Sequence, residues 1–284
     1  MRYGVTIFPT DLSIDVVELA RAVEARGLDS LYLPEHTHIP TSRLTPWPVA
    51  PDQPIDEKYK RSLDPLVALG ACAAATTTLG LGTGILLAAQ REPIVTAKAL
   101  ATVDHLSGGR LTIGTGFGWN EDEMAHHGVD YKRRREQARE HLLAIRAIWE
   151  QEEAEFHGQY VDFGPSWCWP KPAQSPLPVL VGGAEGPKLF AHIAEYAQGW
   201  IPIGGRGLRD AIPRLQDAMR EAGRPDADIA TMRVVPMAVQ PDAGKLDHYA
   251  SIGVTEVVFD LPAKPADVVL PILDRYAELV QNEG

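Results

Sequence analysis

Short runs of consecutive apolar residues alternate along this chain with longer stretches in which apolar positions recur every three or four residues. Residues 2–9, 30–34, 79–88 and 111–117 read as strands in the first half, and 178–181, 200–203, 233–239 and 256–260 in the second. Helical spacing fills the intervals. Ile14, Val17, Leu19, Ala20 and Val23 form one stripe that ends at Gly27, and residues 64–76 form a second helix. Pro93 opens a third where a missing N–H costs little, and Ser107-Gly108-Gly109 ends it. Ala138, Leu142, Ile145 and Ile148 mark a fourth, over 135–149. Four more are expected over 187–197, 208–222, 245–252 and 266–280.

Eight strand–helix units with no dividing linker predict an α/β fold, a single (β/α)8 TIM barrel over residues 1–284. The strands lack clean alternation, as in a parallel sheet buried on both faces. An open doubly wound sheet is the competing architecture. Two segments break the rhythm. Residues 37–62, after the second strand, carry Pro40, Pro46, Pro48, Pro51 and Pro54. They fall on the C-terminal face, where barrel active sites lie, and read either as a lid or as a decoration or oligomer contact. Residues 150–177, after the fourth helix, form a second insertion with a hairpin over 156–163 and Trp167 and Trp169 beyond it.

The charge excludes one class of function. With 38 acidic against 27 basic residues, the net charge of −11 offers no field for nucleic acid, and Lys132-Arg133-Arg134-Arg135 reads as the solvated start of a helix. Among 284 residues no apolar run is long enough to span a bilayer, and no cleavable signal of the usual form opens the chain. Cys72 and Cys168 cannot make a disulfide framework, so a cytoplasmic setting is expected. Both are read as structural, and no G-x-S-x-G offers a nucleophile.

Candidate chemistry sits at the strand ends. Gly80, Gly82 and Gly84 share one face of the third strand, and Gly114, Gly116 and Gly118 one face of the fourth. Such faces either admit a flat ring close to the backbone or serve barrel packing. Gly182-Gly183-Ala184, running through Gly186 into Pro187, places free N–H groups at a helix start, where phosphate is the natural guest; an ordinary turn is the alternative. His36-x-His38 beside Glu35 looks like a metal-site fragment, but no histidine follows at later strand ends, so no metal is expected.

At these positions the chain resembles the bacterial-luciferase-like oxidoreductases, most closely the branch that uses the deazaflavin coenzyme F420. The resemblance covers nearly the whole chain. It is carried by Ser30-Leu31-Tyr32-Leu33-Pro34-Glu35-His36, by Gly84-Ile85-Leu86 with Arg91-x-Pro93, and by Gly182-Gly183 with Gly199-Trp200. The most specific stretch is Asp104-His105-Leu106-Ser107-Gly108-Gly109-Arg110 running into Gly114-Thr115-Gly116-x-Gly118-Trp119-Asn120. It implies a barrel holding the coenzyme at its C-terminal face, with a non-proline cis peptide at Gly84-Ile85 behind the ring. By the same resemblance Glu35 and His36 are the catalytic pair beside the ring and the substrate. Asn120 bonds the ring edge, Gly84, Ile85 and Gly116 line it, and Gly182, Gly183 and Ala184 hold the phosphate. One departure is Phe117, where sugar-phosphate dehydrogenases of the family carry a glutamate. It hints at a less polar substrate.

The function expected is hydride transfer between F420 and a small organic molecule, by a homodimer as in relatives. An FMN-dependent monooxygenase using O2 is the alternative, and a non-catalytic flavin-binding barrel a third.

Overall fold

A computed structural model describes residues 1–41, 44–202, 205 and 207–282. Ser42 and Arg43 of the first insertion, Ile203 at the end of the sixth expected strand, and Gly204 and Arg206 beyond it lie outside the described residues. The first half runs β1 (Arg2–Thr6), α1 (Val16–Ala25), β2 (Ser30–Leu33), α2 (Glu57–Lys60), α3 (Pro65–Ala75), β3 (Gly80–Leu86), α4 (Pro93–Ser107) and β4 (Leu111–Thr115). Next come α5 (Glu121–His126), α6 (Arg134–Glu150), the hairpin β5 (Ala154–His157) and β6 (Asp162–Ser166), then β7 (Val179–Gly183) and α7 (Pro187–Tyr196). The rest is β8 (Gly199–Pro202), α8 (Leu208–Glu221), α9 (Asp226–Ala230), β9 (Arg233–Val234), α10 (Ala243–Ser251), β10 (Glu256–Asp260) and α11 (Ala266–Asn282).

Eight parallel strands follow the order β10-β1-β2-β3-β4-β7-β8-β9. The ring closes through Thr255 N–H to Val234 O (3.1 Å), Val258 N–H to Pro236 O (3.0 Å) and Val239 N–H to Val258 O (3.0 Å). The expected seventh strand, 233–239, is thus cut to two residues. Pro236 brings no donor, and Ala238 takes a φ of 55°, so regular pairing stops after Val234.

The helices begin where carboxylates accept their free N–H groups. Asp15 caps α1, Asp64 caps α3 and Glu92 caps α4. Ser13, just before α1, closes a turn on Thr10. Gly108, at φ 66°, ends α4 in the left-handed region. Beyond it Arg110 donates to Ser107 O, Thr76 O, Thr76 Oγ1, Leu79 O and Ala73 O, while Asp104 accepts from the backbone and side chain of Gln174. The stretch 104–110 is therefore a staple between the ends of α3 and α4.

Glu24 clamps the same end of the barrel, accepting with Oε1 from the N–H groups of Thr77, Thr78 and Leu79. Desolvation pushes its carboxyl up, but these donors outweigh that and hold it at about 2. A depressed carboxyl stabilises the fold above its unfolded value and loses that contribution as pH falls. Glu24→Gln should therefore lower the urea midpoint at pH 7, and the gap from wild type should close between pH 4.5 and about 2. A gap independent of pH would show that the charge contributes nothing.

Inside the barrel, Tyr32, Leu180, Ile201, Val235 and Val258 form a buried layer. Below it Glu256 (1% exposed) accepts from Ser30 Oγ at 2.5 Å and from Arg233 at 2.7 Å, and Arg233 also reaches Thr112 Oγ1 at 2.8 Å. These side chains decide between the two readings of the glycine faces at Gly82 and Gly114. A Cβ at Gly82 would strike the Tyr32 ring, and one at Gly114 would strike Thr83 O and Ile201. Both glycines serve packing, because large residues on neighbouring strands already fill the space.

In the second insertion the hairpin tip turns back to the start of α6, where Glu140 accepts from Val161 N–H at 2.7 Å, while the segment beyond the hairpin sits away from the C-terminal face. Cys168 and Phe163 pack with Ala97, Ile145, Ile148 and Ala154, and Lys171 Nζ caps the end of α6 at Ile148 O (2.6 Å) and Gln151 O (2.5 Å). Trp167 and Trp169 are exposed there.

Candidate active site

His36 lies three residues past β2, and the fold buries it. Its Nδ1 is 2.6 Å from Oε2 of Glu123, a fully buried carboxylate in the first turn of α5. The second oxygen of Glu123 accepts from Thr37 N–H (3.1 Å) and Gln90 Nε2 (3.3 Å). Burial pushes this carboxyl up, yet the bonds and charge from His36, with those from Gln90 and Thr37, hold it below the usual range. With Nδ1 taken, Nε2 is the nitrogen left for a reacting molecule.

Glu35 stands next to His36 but turns to other partners. Oε2 accepts from Leu87 N–H (2.6 Å), and Oε1 from Arg91 Nε (2.6 Å), whose guanidinium also reaches Asp64 (2.8 Å). Desolvation raises its carboxyl despite Arg91 and the Leu87 N–H. The pair ties the end of β2 to the segment that leaves β3.

β3 itself carries a cis peptide at Gly84–Ile85, and the register between β3 and β4 shifts between Thr83 and Leu86. The half-buried Ile85 side chain covers Gly116 and approaches Gly182, and Met237 flanks Gly84. Gly84, Ile85, Gly116 and Gly182 thus come together as an apolar floor at the barrel mouth. On β4's extension Asn120 caps α5, its Oδ1 accepting from Glu123 N–H at 3.3 Å. Its Nδ2 is buried, and no described residue is its hydrogen-bond partner. A buried donor of this kind costs free energy until a ligand satisfies it, so the residues at this mouth fit a group with a ring-edge acceptor.

Gly182, Gly183 and Ala184 form the turn into α7, which no side chain caps and which Pro187 opens. Trp200, 2% exposed, donates from Nε1 to Gly183 O at 2.9 Å and fixes the turn. The uncapped N–H groups suit an anion.

Residues 37–62 cross over His36. Tyr59 of α2 packs 5.2 Å from the His36 ring, with Phe8 (4.7 Å) and Trp47 (5.7 Å) around it, and Trp119 lies 5.7 Å from His36. Besides the Thr37 N–H to Glu123, further contacts fasten this strap to α5. Asp122 accepts from the N–H groups of Leu44 (2.8 Å) and Thr45 (3.0 Å), and His38 Nε2 meets His126 Nδ1 at 2.9 Å. Thr37 Oγ1 adds a contact to His127 Nε2 at 2.7 Å. Among the described residues no group of histidines, cysteines and carboxylates has the arrangement to hold a metal. Cys72 is buried, and desolvation pushes its thiol up to about 12, so it is inert.

Phe117 does not face this mouth. Its buried ring lies between His192 of α7 (4.9 Å) and the guanidinium of Arg135 of α6 (4.7 Å). The inference of a less polar substrate from Phe117 therefore falls, because strand parity turns its ring outward to the helices. Sequence reasoning missed Glu123, Tyr59 and Trp119. The signal for Glu123 was present: Asn120-x-x-Glu123 has capping-box spacing, which places the glutamate in a helix's first turn.

Residues 13–268 match the family described as luciferase-like monooxygenase. An uncharacterised protein of Mycobacterium tuberculosis is 44% identical over 279 residues, 98% of each chain. An F420-dependent glucose-6-phosphate dehydrogenase of Amycolatopsis mediterranei is 29% identical over 213 residues, 73% of this chain and 58% of that enzyme. In fold the chain is similar to an F420-dependent secondary alcohol dehydrogenase bound to an F420–acetone adduct, with a TM-score of 0.78 and 18% identity over 100% of both. No helix among the described residues is long and apolar enough to cross a membrane. A match running through the strap, the Gly84–Ile85 bulge and the turn into α7 places this chain in the luciferase-like monooxygenase family.

Proposed function

We propose that this protein is an F420-dependent oxidoreductase acting on a small organic substrate. The observation that carries the reading is the buried, partnerless Nδ2 of Asn120 beside the His36–Glu123 pair and the Gly84–Ile85 bulge. The relative that uses F420 on a sugar phosphate supports it. When bound, a deazaflavin supplies a hydride to or from its ring carbon C5. Asn120 would hold the ring edge and the turn at Gly182, Gly183 and Ala184 the phosphate. His36 gives or takes the matching proton at Nε2, and Glu123 fixes the imidazole through Nδ1 and stabilises its charged form. Glu35, with both oxygens occupied, acts as a positioning residue for His36 and the bulge. The strap serves as a lid, and its aromatic rings exclude water from the reacting atoms.

Titration with oxidised F420 tests this directly: quenching of coenzyme fluorescence at micromolar concentration is expected. Asn120→Asp keeps the cap on α5 but removes the donor, and should weaken F420 about tenfold, the scale of one hydrogen bond. Failure to bind F420, together with oxygen uptake on adding reduced FMN, would replace this reading with a flavin monooxygenase, as the family's description suggests.

A further inference from the structure

Asp260 is a carboxylate at the barrel mouth that the proton machinery above leaves unused. It ends β10, in register with Thr6 at the end of β1. Strand parity sets its direction. Glu256 and Val258 of the same strand face the barrel interior, in the charged layer and in the apolar layer above it, so Asp260 occupies the next layer up on that face. The backbone oxygen of Asp260 is taken by Tyr276 OH at 2.8 Å, but no described residue donates to its carboxylate.

Asp260 lines a cleft of about 520 Å³ together with Thr10 and Leu12 of the β1–α1 turn, strap residues Asp56 and Lys58, and Pro262. Three cations line it: Lys264 does so beside Pro262, and the other two are already engaged. Arg61 pairs with Asp11 (2.7 Å) and Glu57 (3.1 Å), while the Lys58 ammonium sits over the rings of Phe8 (5.1 Å) and Tyr59 (5.9 Å) and 3.9 Å from Asp56. Tyr59 joins this cleft to the proton site: its ring packs on His36, and its hydroxyl feels the charge of Asp260. Burial raises the Asp260 carboxyl, as expected of an acid lacking a close partner.

We propose that this cleft is the substrate subsite, that Asp260 is its polar anchor, and that it selects substrates bearing a hydrogen-bond donor, an ammonium best of all, on the side away from the reacting carbon. The inference rests on the hydride-transfer reading for the identity of the reacting end, not for binding at Asp260. A half-buried acceptor gains most from a charged donor, and it repels a carboxylate.

Four ketones of one shape test it: cyclohexanone and its 4-hydroxy, 4-amino and 4-carboxylate derivatives, with binding followed by ligand-observed NMR at pH 7. The 4-amino ketone should bind about tenfold more tightly than the carboxylate, with the other two between. Asp260→Asn should bring all four within about threefold, leaving F420 quenching and far-UV circular dichroism unchanged. Asp260→Ser serves if the first variant folds poorly. Equal binding of the four ketones to wild type, no binding of any, or a preference that survives both variants would overturn the proposal. Loss of F420 binding in folded Asp260→Asn would move this residue to the coenzyme. Because the assay needs no coenzyme, a preference seen in a protein that does not bind F420 would sink the coenzyme reading and leave the subsite standing.

Discussion

His36→Ala is expected to cut turnover by roughly 10²–10⁴-fold, the usual worth of a positioned acid or base, while F420 affinity changes by no more than a few fold. The asymmetry follows from geometry. His36 contributes one nitrogen to the reaction and gives the other to Glu123 at 2.6 Å. Glu123→Gln should fall between wild type and His36→Ala. Glutamine can still bond Nδ1 but cannot balance an imidazolium, and a charge-assisted bond of ~1.5–3 kcal/mol corresponds to about 10- to 150-fold in kcat. Glu123→Asp should recover part of the loss, and KM should move less than kcat. A comparable fall in F420 affinity for His36→Ala would make the histidine a coenzyme ligand instead. Full activity in Glu123→Gln would reduce the carboxylate to a helix residue.

Glu256→Ala is expected to cost about 3–5 kcal/mol of stability, because it strands Arg233 inside the barrel. Glu256 is 1% exposed and holds Ser30, Arg233 and, at 3.4 Å, the hydroxyl of Tyr32. Burial and the Glu256 charge together raise the Tyr32 hydroxyl, so it stays protonated and donates. Urea unfolding reads the loss as a shift in midpoint at constant slope. Adding Arg233→Met should recover much of it, since an apolar side chain needs no partner there. A single variant as stable as wild type would mean that water or rearrangement satisfies Arg233.

The architecture was readable because its signals are local. Apolar runs and helical stripes gave the eight units, and Pro93 and Gly108 stand at the helix ends expected of them. Resemblance placed the cis peptide at Gly84–Ile85, where it occurs. What escaped depends on contacts distant in sequence. Nothing near Gly82 announces that the Tyr32 ring occupies its empty side, and nothing near Phe117 says that Arg135 and His192 enclose it. Glu35 and His36 adjoin in the chain yet diverge, one to Arg91 and the other to Glu123, because successive residues beyond a strand point apart. The stretch 104–110 is distinctive for the work it does at the far end of the barrel, so the strength of a motif was no guide to its distance from the chemistry.

The six residues of α5 serve two masters. Asp122 and His126 fasten the strap, and Glu123 between them steadies His36. If the strap acts as the proposed lid, peeling it back to admit a molecule would tug on the helix that holds the imidazole in aim. On the proposed function, entry and readiness would then be mutually exclusive postures, and a bound hydride donor would stay unspent until a guest is enclosed.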